Sequence, residues 1–463
     1  MEEETKEQKE HTSGAHSFLR GFITLFTVTI LLCMALYIRR DVYLMPHLRG
    51  DQRFYLGLAM KLEKEGISGY TLRGIDIRVM DRFYVFFDIN KKGKRGSILD
   101  GLSRGEGVHY YDMPILTTPP LLSCALMISH NILEPGKKYM IPVNKWKPGN
   151  KTYTASQYTK KQFYAVVVPL LFSCLLILFV FLLGKNLFGF EAATWAAFLM
   201  VICPTDILTS QKVWADGMTA FFVVLTVFLF VQARKRDSKI LSALSGISAG
   251  LGATAKPSGG FIVFAIVLYY IWISRENILN RRWKKFFFDK HLILFLLFGF
   301  LAVLPWYGLI TKTYGKPWYR REAGLIEKDA PWFKLIHARS KYIYLVNIPA
   351  QTPILFLTYF IIIDLVRRFK EKDRQALLFF WMAVYLRLLW GAKEQRYMLP
   401  AIPAAAIISG YYLHRIRAWL DNKTKLHVGK VLVVVILVLC ALWSIPFGRS
   451  VVLRDGALIR FPF

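Results

Sequence analysis

The stretch Pro119-Pro120-Leu121-Leu122-Ser123-Cys124-Ala125-Leu126-Met127-Ile128-Ser129-His130-Asn131-Ile132-Leu133 is apolar but only 15 residues long. A helix needs about 20 apolar residues to cross a bilayer core. If this run crossed, every loop after it would change sides. Four clusters of positive charge would then lie outside: Arg234, Lys235, Arg236 and Lys239; Arg281, Arg282, Lys284, Lys285 and Lys290; Arg367, Arg368, Lys370, Lys372 and Arg374; and Arg415, Arg417, Lys423, Lys425 and Lys430. These clusters fall in every second gap between hydrophobic runs, and short loops rich in Lys and Arg stay cytoplasmic. The run is therefore read as a juxtamembrane helix in the outer interface.

Hydrophobic residues make up 54% of the chain and mean hydropathy is +0.35, the balance of a bilayer protein. Cytoplasmic loops and anionic headgroups account for much of the net charge of +30, so the charge does not argue for nucleic acid. The five cysteines, Cys33, Cys124, Cys174, Cys203 and Cys440, have neither CxxC nor ligand-like spacing to His. They indicate no zinc site and no disulfide framework.

The clearest spanning candidates are roughly 18–38, 164–184, 190–207, 213–233, 291–312, 347–366, 374–391, 396–416 and 429–447. Residues 240–273 read as two short helices broken at Lys256-Pro257, giving about eleven crossings. The expectation is an all-α polytopic membrane protein. A cytoplasmic disordered tail would occupy 1–17, the transmembrane domain 18–447 and an external tail 448–463. The first run, too long for a signal peptide and poorly followed by a cleavage site, is read as a permanent anchor. Residues 41–162 form a large external region with juxtamembrane helices, and 313–346 a second external loop.

Within the first external region, Arg49-Gly50-Asp51-Gln52-Arg53-Phe54-Tyr55 opens a segment with Tyr55, Leu58 and Leu62 at helical spacing. Gly66 can end this helix and Asp51 stands where an N-cap would. Residues 68–90 alternate in places, as in Ile75-Asp76-Ile77-Arg78-Val79, which predicts short strands before the turn at 91–96.

Several motifs follow one another along the chain: Gly50-Asp51-Gln52 with Tyr55, Asp112 with Pro119-Pro120-Leu121, Glu191-Ala-Ala-Thr-Trp-Ala-Ala, and Pro204 with Ser210-Gln211-Lys212 and Asp216-Gly217-Met218. Gly250, Gly252-Ala253-Thr254-Ala255-Lys256-Pro257-Ser258-Gly259 and Gln395-Arg396-Tyr397-Met398-Leu399-Pro400 complete the set. In these motifs and their order the chain resembles the GT-C glycosyltransferases, specifically the family 39 type that includes protein O-mannosyltransferases and lipid A aminoarabinose transferases. Independently, the basic-loop rule puts Asp51, Asp112, Lys212, Asp216, Lys256 and Arg396 at or near outer helix ends. A transporter would more readily place its ionisable groups near the midplane.

The resemblance implies transfer of a sugar from a polyprenyl-phosphate donor to an acceptor hydroxyl outside the cytoplasm, with inversion. An alcohol is a weak nucleophile, so a carboxylate must take its proton. The leaving phosphate gains charge, which fixed cations stabilise. Asp51 matches the first acid of the family's Asp-Glu pair and is the candidate base; its plain alternative is a helix cap. Gln52 stands where the family often has Glu, against a two-carboxylate or metal-assisted role there. Asp216 is the second catalytic candidate, although it could simply pair with Lys212 at i,i+4. Lys256 and Arg396 are candidates for the donor phosphate, against interfacial snorkelling for Lys256 and a pair with Glu394 for Arg396. Thr118 replaces a Lys found in some family members, which shifts the phosphate role toward these two.

Tyr55, Asp112, Lys212 and Tyr397 are expected to line the pocket, although Asp112 also fits ordinary turn chemistry. The external acids form no recognisable metal-ligand set, and no cofactor is assigned. The basic loop 313–346 suits an anionic lipid or glycan acceptor, or plain contact with membrane lipids. The alternatives in function are a lipid or glycan transporter or flippase, and a non-catalytic subunit of a polysaccharide assembly complex.

Overall fold

The computed structural model describes residues 2–40, 51–67, 70, 119–133, 163–280, 288–314, 343–367, 373–388, 395–424 and 427–453. The expected strands of 68–90 and most of the external loop 313–346 lie outside the described residues, apart from Tyr70 and the two ends of that loop. All regular structure among the described residues is helical.

Helix α1 (Glu2–Ile38) is continuous. Residues 2–17, expected as a disordered tail, are therefore helical: the segment holds no proline, and extending a formed helix avoids the cost of nucleation. Helix α2 (Asp51–Glu65) takes the expected span. It ends at Gly66, whose φ of +68° disfavours side-chain-bearing residues and whose N–H donates to Leu62 O at 2.9 Å. Helix α3 (Leu121–Leu133) is the decisive apolar run. Its 13 residues reach about 20 Å at about 1.5 Å each, short of a bilayer core. Leu122 and Leu126 are instead buried in a small core with Leu56 and Ala59 of α2 and with Tyr164, Ala165 and Val168.

The bundle follows as α4 (Phe163–Phe188), α5 (Phe190–Val201), α6 (Pro204–Ser210), α7 (Asp216–Lys235) and α8 (Lys239–Ala255). After the break at Lys256 come a 3-10 turn (Pro257–Gly260), α9 (Phe261–Ile273), α10 (Arg275–Leu279) and α11 (Lys290–Tyr314). The last part comprises α12 (Ile343–Gln351), α13 (Phe360–Arg367), α14 (Asp373–Leu388), α15 (Ile402–Thr424) and α16 (Val428–Leu453). In lipid, helices associate through close packing and not through exclusion of water. Accordingly Gly246 and Gly250 on α8 face α11 so closely that a Cβ on either would stand 2.2 Å from Phe295 O or 2.5 Å from the Ala302 methyl.

Among the described residues, five helices are long and apolar enough to cross a membrane alone: α7 and parts of α1, α4, α11 and α16. The α5–α6 pair, bent by 59°, makes a sixth. The expectation of about eleven is not reached on this measure. Pro257 splits one apolar run, a 3-10 segment (Pro353–Tyr359) precedes α13, and the last turns of α15 carry Arg415, Arg417, Asp421 and Lys423.

At one end of the bundle the basic clusters meet acids: Lys290 with Asp237 at 2.6 Å, Arg234 with Asp289 at 3.7 Å and Arg417 with Glu191 at 3.0 Å. Bonds from Lys290 and His291 hold the Asp237 carboxyl below its ordinary range. Helix α7 runs from Asp216 to Arg234 and Lys235, about 30 Å at the usual rise. Asp216 therefore lies at the opposite end.

Candidate active site

The end opposite the basic clusters gathers residues from four separated stretches. Helix α6 stops at Ser210, and the following turn is held by Trp214 N–H donating to Lys212 O at 2.7 Å before α7 starts at Asp216. Because 211–215 is not helical, Lys212 and Asp216 do not form the i,i+4 helix pair that their spacing allowed. Asp216 instead accepts from Lys256 Nζ at 2.5 Å, with side-chain exposures of 4% and 23%.

Lys256 reaches Asp216 because the chain breaks there. The N–H of Pro257 is missing, Lys256 is extended (φ −156°, ψ 138°) and α8 gives way to the 3-10 turn. The turn folds back onto α8 at Gly259, where a Cβ would stand 2.2 Å from Gly252 O. Tyr385 on α14 donates to Gly259 O at 3.3 Å, and Trp381 on the same helix donates to Pro400 O at 2.9 Å. One buried helix face thus supports both the Lys256 break and the 3-10 segment Gln395–Ala401 that carries Arg396 and Tyr397.

Aromatic rings separate the cations. Lys256 Nζ lies 3.8 Å from the centre of the Tyr397 ring, and the Arg396 guanidinium 5.1 Å from it. Arg396 also stacks 4.4 Å from the Trp214 ring and donates to Tyr397 Oη at 3.4 Å, while Lys212 Nζ lies 5.3 Å from Trp214. Such contacts hold a cation over a ring face without neutralising it. Lys212, Asp216, Lys256, Arg396 and Tyr397 thus lie in one group.

Helix α2 docks beside this group. Gln52 is buried, and its Oε1 accepts from Val213 N–H at 3.1 Å. The neutral amide at this position therefore has a structural role, fastening the head of α2 to the Lys212–Trp214 turn. Tyr55, one turn further, packs on the small core, and its carbonyl accepts from Ser123 Oγ at 3.3 Å. Asp51 opens α2, while its side chain, Asp112 and Glu394 lie outside the described residues. Among the described residues no three His, Cys, Asp or Glu side chains converge on a metal position. Replacing Gln52 by Ala is expected to free the α2 head and leave Val213 N–H without its acceptor, lowering the melting temperature as for a stranded buried donor; an unchanged melting temperature would show that the bond is dispensable.

Trp214 and the supports Tyr385 and Trp381 were not singled out from sequence. Trp214 stands between Lys212 and Asp216, but a Trp at a helix end is common at membrane interfaces.

The family model described as dolichyl-phosphate-mannose-protein mannosyltransferase matches residues 157–306, which include Lys212, Asp216 and Lys256. No curated protein matches the chain. Among solved structures, the Archaeoglobus fulgidus oligosaccharyltransferase in complex with Zn and sulfate is similar at TM-score 0.54 and 16% identity, over 92% of this chain and 52% of its own. Archaeal oligosaccharyltransferase AglB from the same organism, in complex with an inhibitory peptide and a dolichol-phosphate, gives 0.55 and 15% over 96% and 57%. ArnT from Cupriavidus metallidurans bound to undecaprenyl phosphate gives 0.51 and 16% over 85% and 61%. The chain matches 52% to 61% of the length of these structures. At this identity the likeness is one of fold: the chain folds as these solved structures do.

Proposed function

We propose that the chain is an inverting glycosyltransferase that moves a sugar from a polyprenyl-phosphate donor to an acceptor hydroxyl on a lipid, glycan or protein, at the outer face of the cytoplasmic membrane. The observation that carries this reading is the Lys256–Asp216 contact beside Tyr397 and Arg396. The acceptor oxygen attacks the anomeric carbon while Asp51 takes its proton, and the sugar–phosphate bond breaks. The lipid phosphate leaves with the bonding pair, its charge balanced by Lys256 and Arg396 in a site where water is scarce. Asp216 holds Lys256 in place, and the neighbouring rings fix both cations without cancelling their charge.

In this reading the chain crosses about eleven times, with α8, α9, α12–α13, α14 and α15 supplying the crossings that fall short individually. The Asp216 end then faces outward and the basic clusters face the cytoplasm. The basic residues of 313–346 favour an anionic lipid or glycan acceptor. Single cysteines introduced near 95 and 325 are expected to react with an impermeant reagent from outside, while those near 237, 285 and 370 stay protected. Labelling near 237 from outside would invert the arrangement. Mass spectrometry of lipids and surface glycans from cells with and without the gene tests the function itself. The expected result is one sugar missing from an envelope component when the gene is absent; unchanged sugar content of lipids, glycans and envelope proteins alike would contradict it.

A further inference from the structure

The break between α5 and α6 is closed by a buried ion pair outside the cation group around Tyr397. Helix α5 ends at Val201, Cys203 is extended and α6 begins at Pro204, with a 59° bend between the helices. Breaking a helix inside a membrane leaves backbone groups that lipid cannot satisfy. Arg39, just beyond α1, answers them: Nη1 donates to Val201 O at 3.1 Å and Nη2 to Met200 O at 3.4 Å. Nη2 also donates to Asp206 Oδ2 at 2.5 Å, and Ser173 Oγ on α4 donates to the same oxygen at 2.6 Å. Both charged side chains are fully buried.

The pair matches the dipoles on both sides of the break. A cation sits at the carbonyl end of α5 and an anion in the first turn of α6, each where the helix dipole favours it. From another side, Gln351 Oε1 accepts from Thr205 N–H at 3.0 Å. Helix α6 is therefore gripped at its first turn by Arg39 beyond α1, by α4 and by α12. Its last turn feeds directly into the segment that carries Lys212, Trp214 and Asp216, so the direction of α6 sets where these side chains stand relative to Lys256 and Arg396.

We propose that Arg39 and Asp206 are positioning residues, which fix the α5–α6 angle and so hold the Lys212–Asp216 segment in register with the phosphate-binding cations. This inference rests on the function proposed above. It differs from a purely stabilising role in one measurable way. Removing one partner strands a buried charge and destabilises, whereas replacing both by apolar residues is often neutral for stability.

The test compares purified wild type, Asp206→Asn, the double variant Arg39→Leu/Asp206→Leu, and Arg39→Lys, which keeps the charge but loses the fork. Melting temperature, kcat and KM for a synthetic polyprenyl-phosphate sugar, and hydrogen exchange over 203–215 are read for each. The double variant is expected to melt above Asp206→Asn, since no charge is left stranded, but below wild type, since Val201 O and Met200 O lose their donor, and to show kcat lowered by roughly ten- to hundredfold, as for a misplaced catalytic group. Its exchange should rise over 203–215 and stay unchanged over 163–188. Arg39→Lys should lose kcat in the same way, and it decides the matter if the double variant fails to fold. Recovery of both melting temperature and kcat in the double variant, or wild-type kcat and exchange in Arg39→Lys, would overturn the inference. If wild type transfers no sugar, the proposed function fails on its own, and the exchange over 203–215 still reports whether the pair sets the segment.

Discussion

An Asp51→Asn protein is expected to fold, melt and bind donor lipid like the wild type while turning over roughly 10²–10⁴-fold more slowly, the loss typical of a missing general base. Asn caps a helix about as well as Asp, so the substitution separates the proposed proton-accepting role from the capping role that the sequence offered as its alternative. The geometry nearby supports the assignment. Gln52 ties the head of α2 to Val213, which brings position 51 next to the turn bearing Lys212. Asp216 is the poorer base, because its carboxylate already accepts from Lys256 at 2.5 Å. Asp216→Asn should therefore be impaired less than Asp51→Asn. Near-normal turnover by Asp51→Asn would reject Asp51 as the base and pass the role to Asp112 or Asp216.

Lys256→Ala and Arg396→Ala should each weaken use of the lipid-linked sugar by about 1.5–3 kcal/mol, or roughly ten- to hundredfold in kcat/KM, as for lost charged hydrogen bonds. The two should differ in stability. Lys256→Ala takes away the cation that Asp216 accepts from while leaving that carboxylate buried, so it should lower the melting temperature. Adding Asp216→Asn should restore stability but not activity. Arg396→Ala removes a guanidinium held over Trp214 and Tyr397, and should melt nearly as wild type does. Wild-type transfer at limiting donor by both single variants would make these residues interfacial anchors and place the phosphate site elsewhere.

The fold was legible wherever charge and apolar length agreed. The basic clusters, the short α3 run and the Lys256-Pro257 break each follow from a local rule about lipid, length or proline. The number of spans was less legible, because hydropathy sums over a run and does not see that 353–359 or 395–401 winds as a 3-10 turn. In the site, Lys256, Asp216 and Arg396 could be named from sequence, but their pairing could not. Lys212 and Asp216 are four apart, which suggests a helix pair. Only the turn at 211–215 turns Asp216 toward Lys256, 40 residues away. Gln52 looked like a departure from the family pattern, and its buried bond to Val213 supplies the physical reason for an amide. The Arg39–Asp206 pair spans 167 residues; Arg39 reads in sequence as one more flanking cation, and nothing local connects it to the break at Cys203-Pro204.

The proposed chemistry turns on the donor, and purified protein with a synthetic polyprenyl-phosphate sugar and a hydroxyl-bearing lipid or glycan acceptor tests it most directly. The predicted result is glycosylated acceptor of inverted anomeric configuration, with free polyprenyl phosphate released in equal amount and both products lost in Asp51→Asn. Tight binding of the donor with neither product formed, across anionic and neutral acceptors, would contradict it and leave a carrier or an assembly subunit in place of an enzyme.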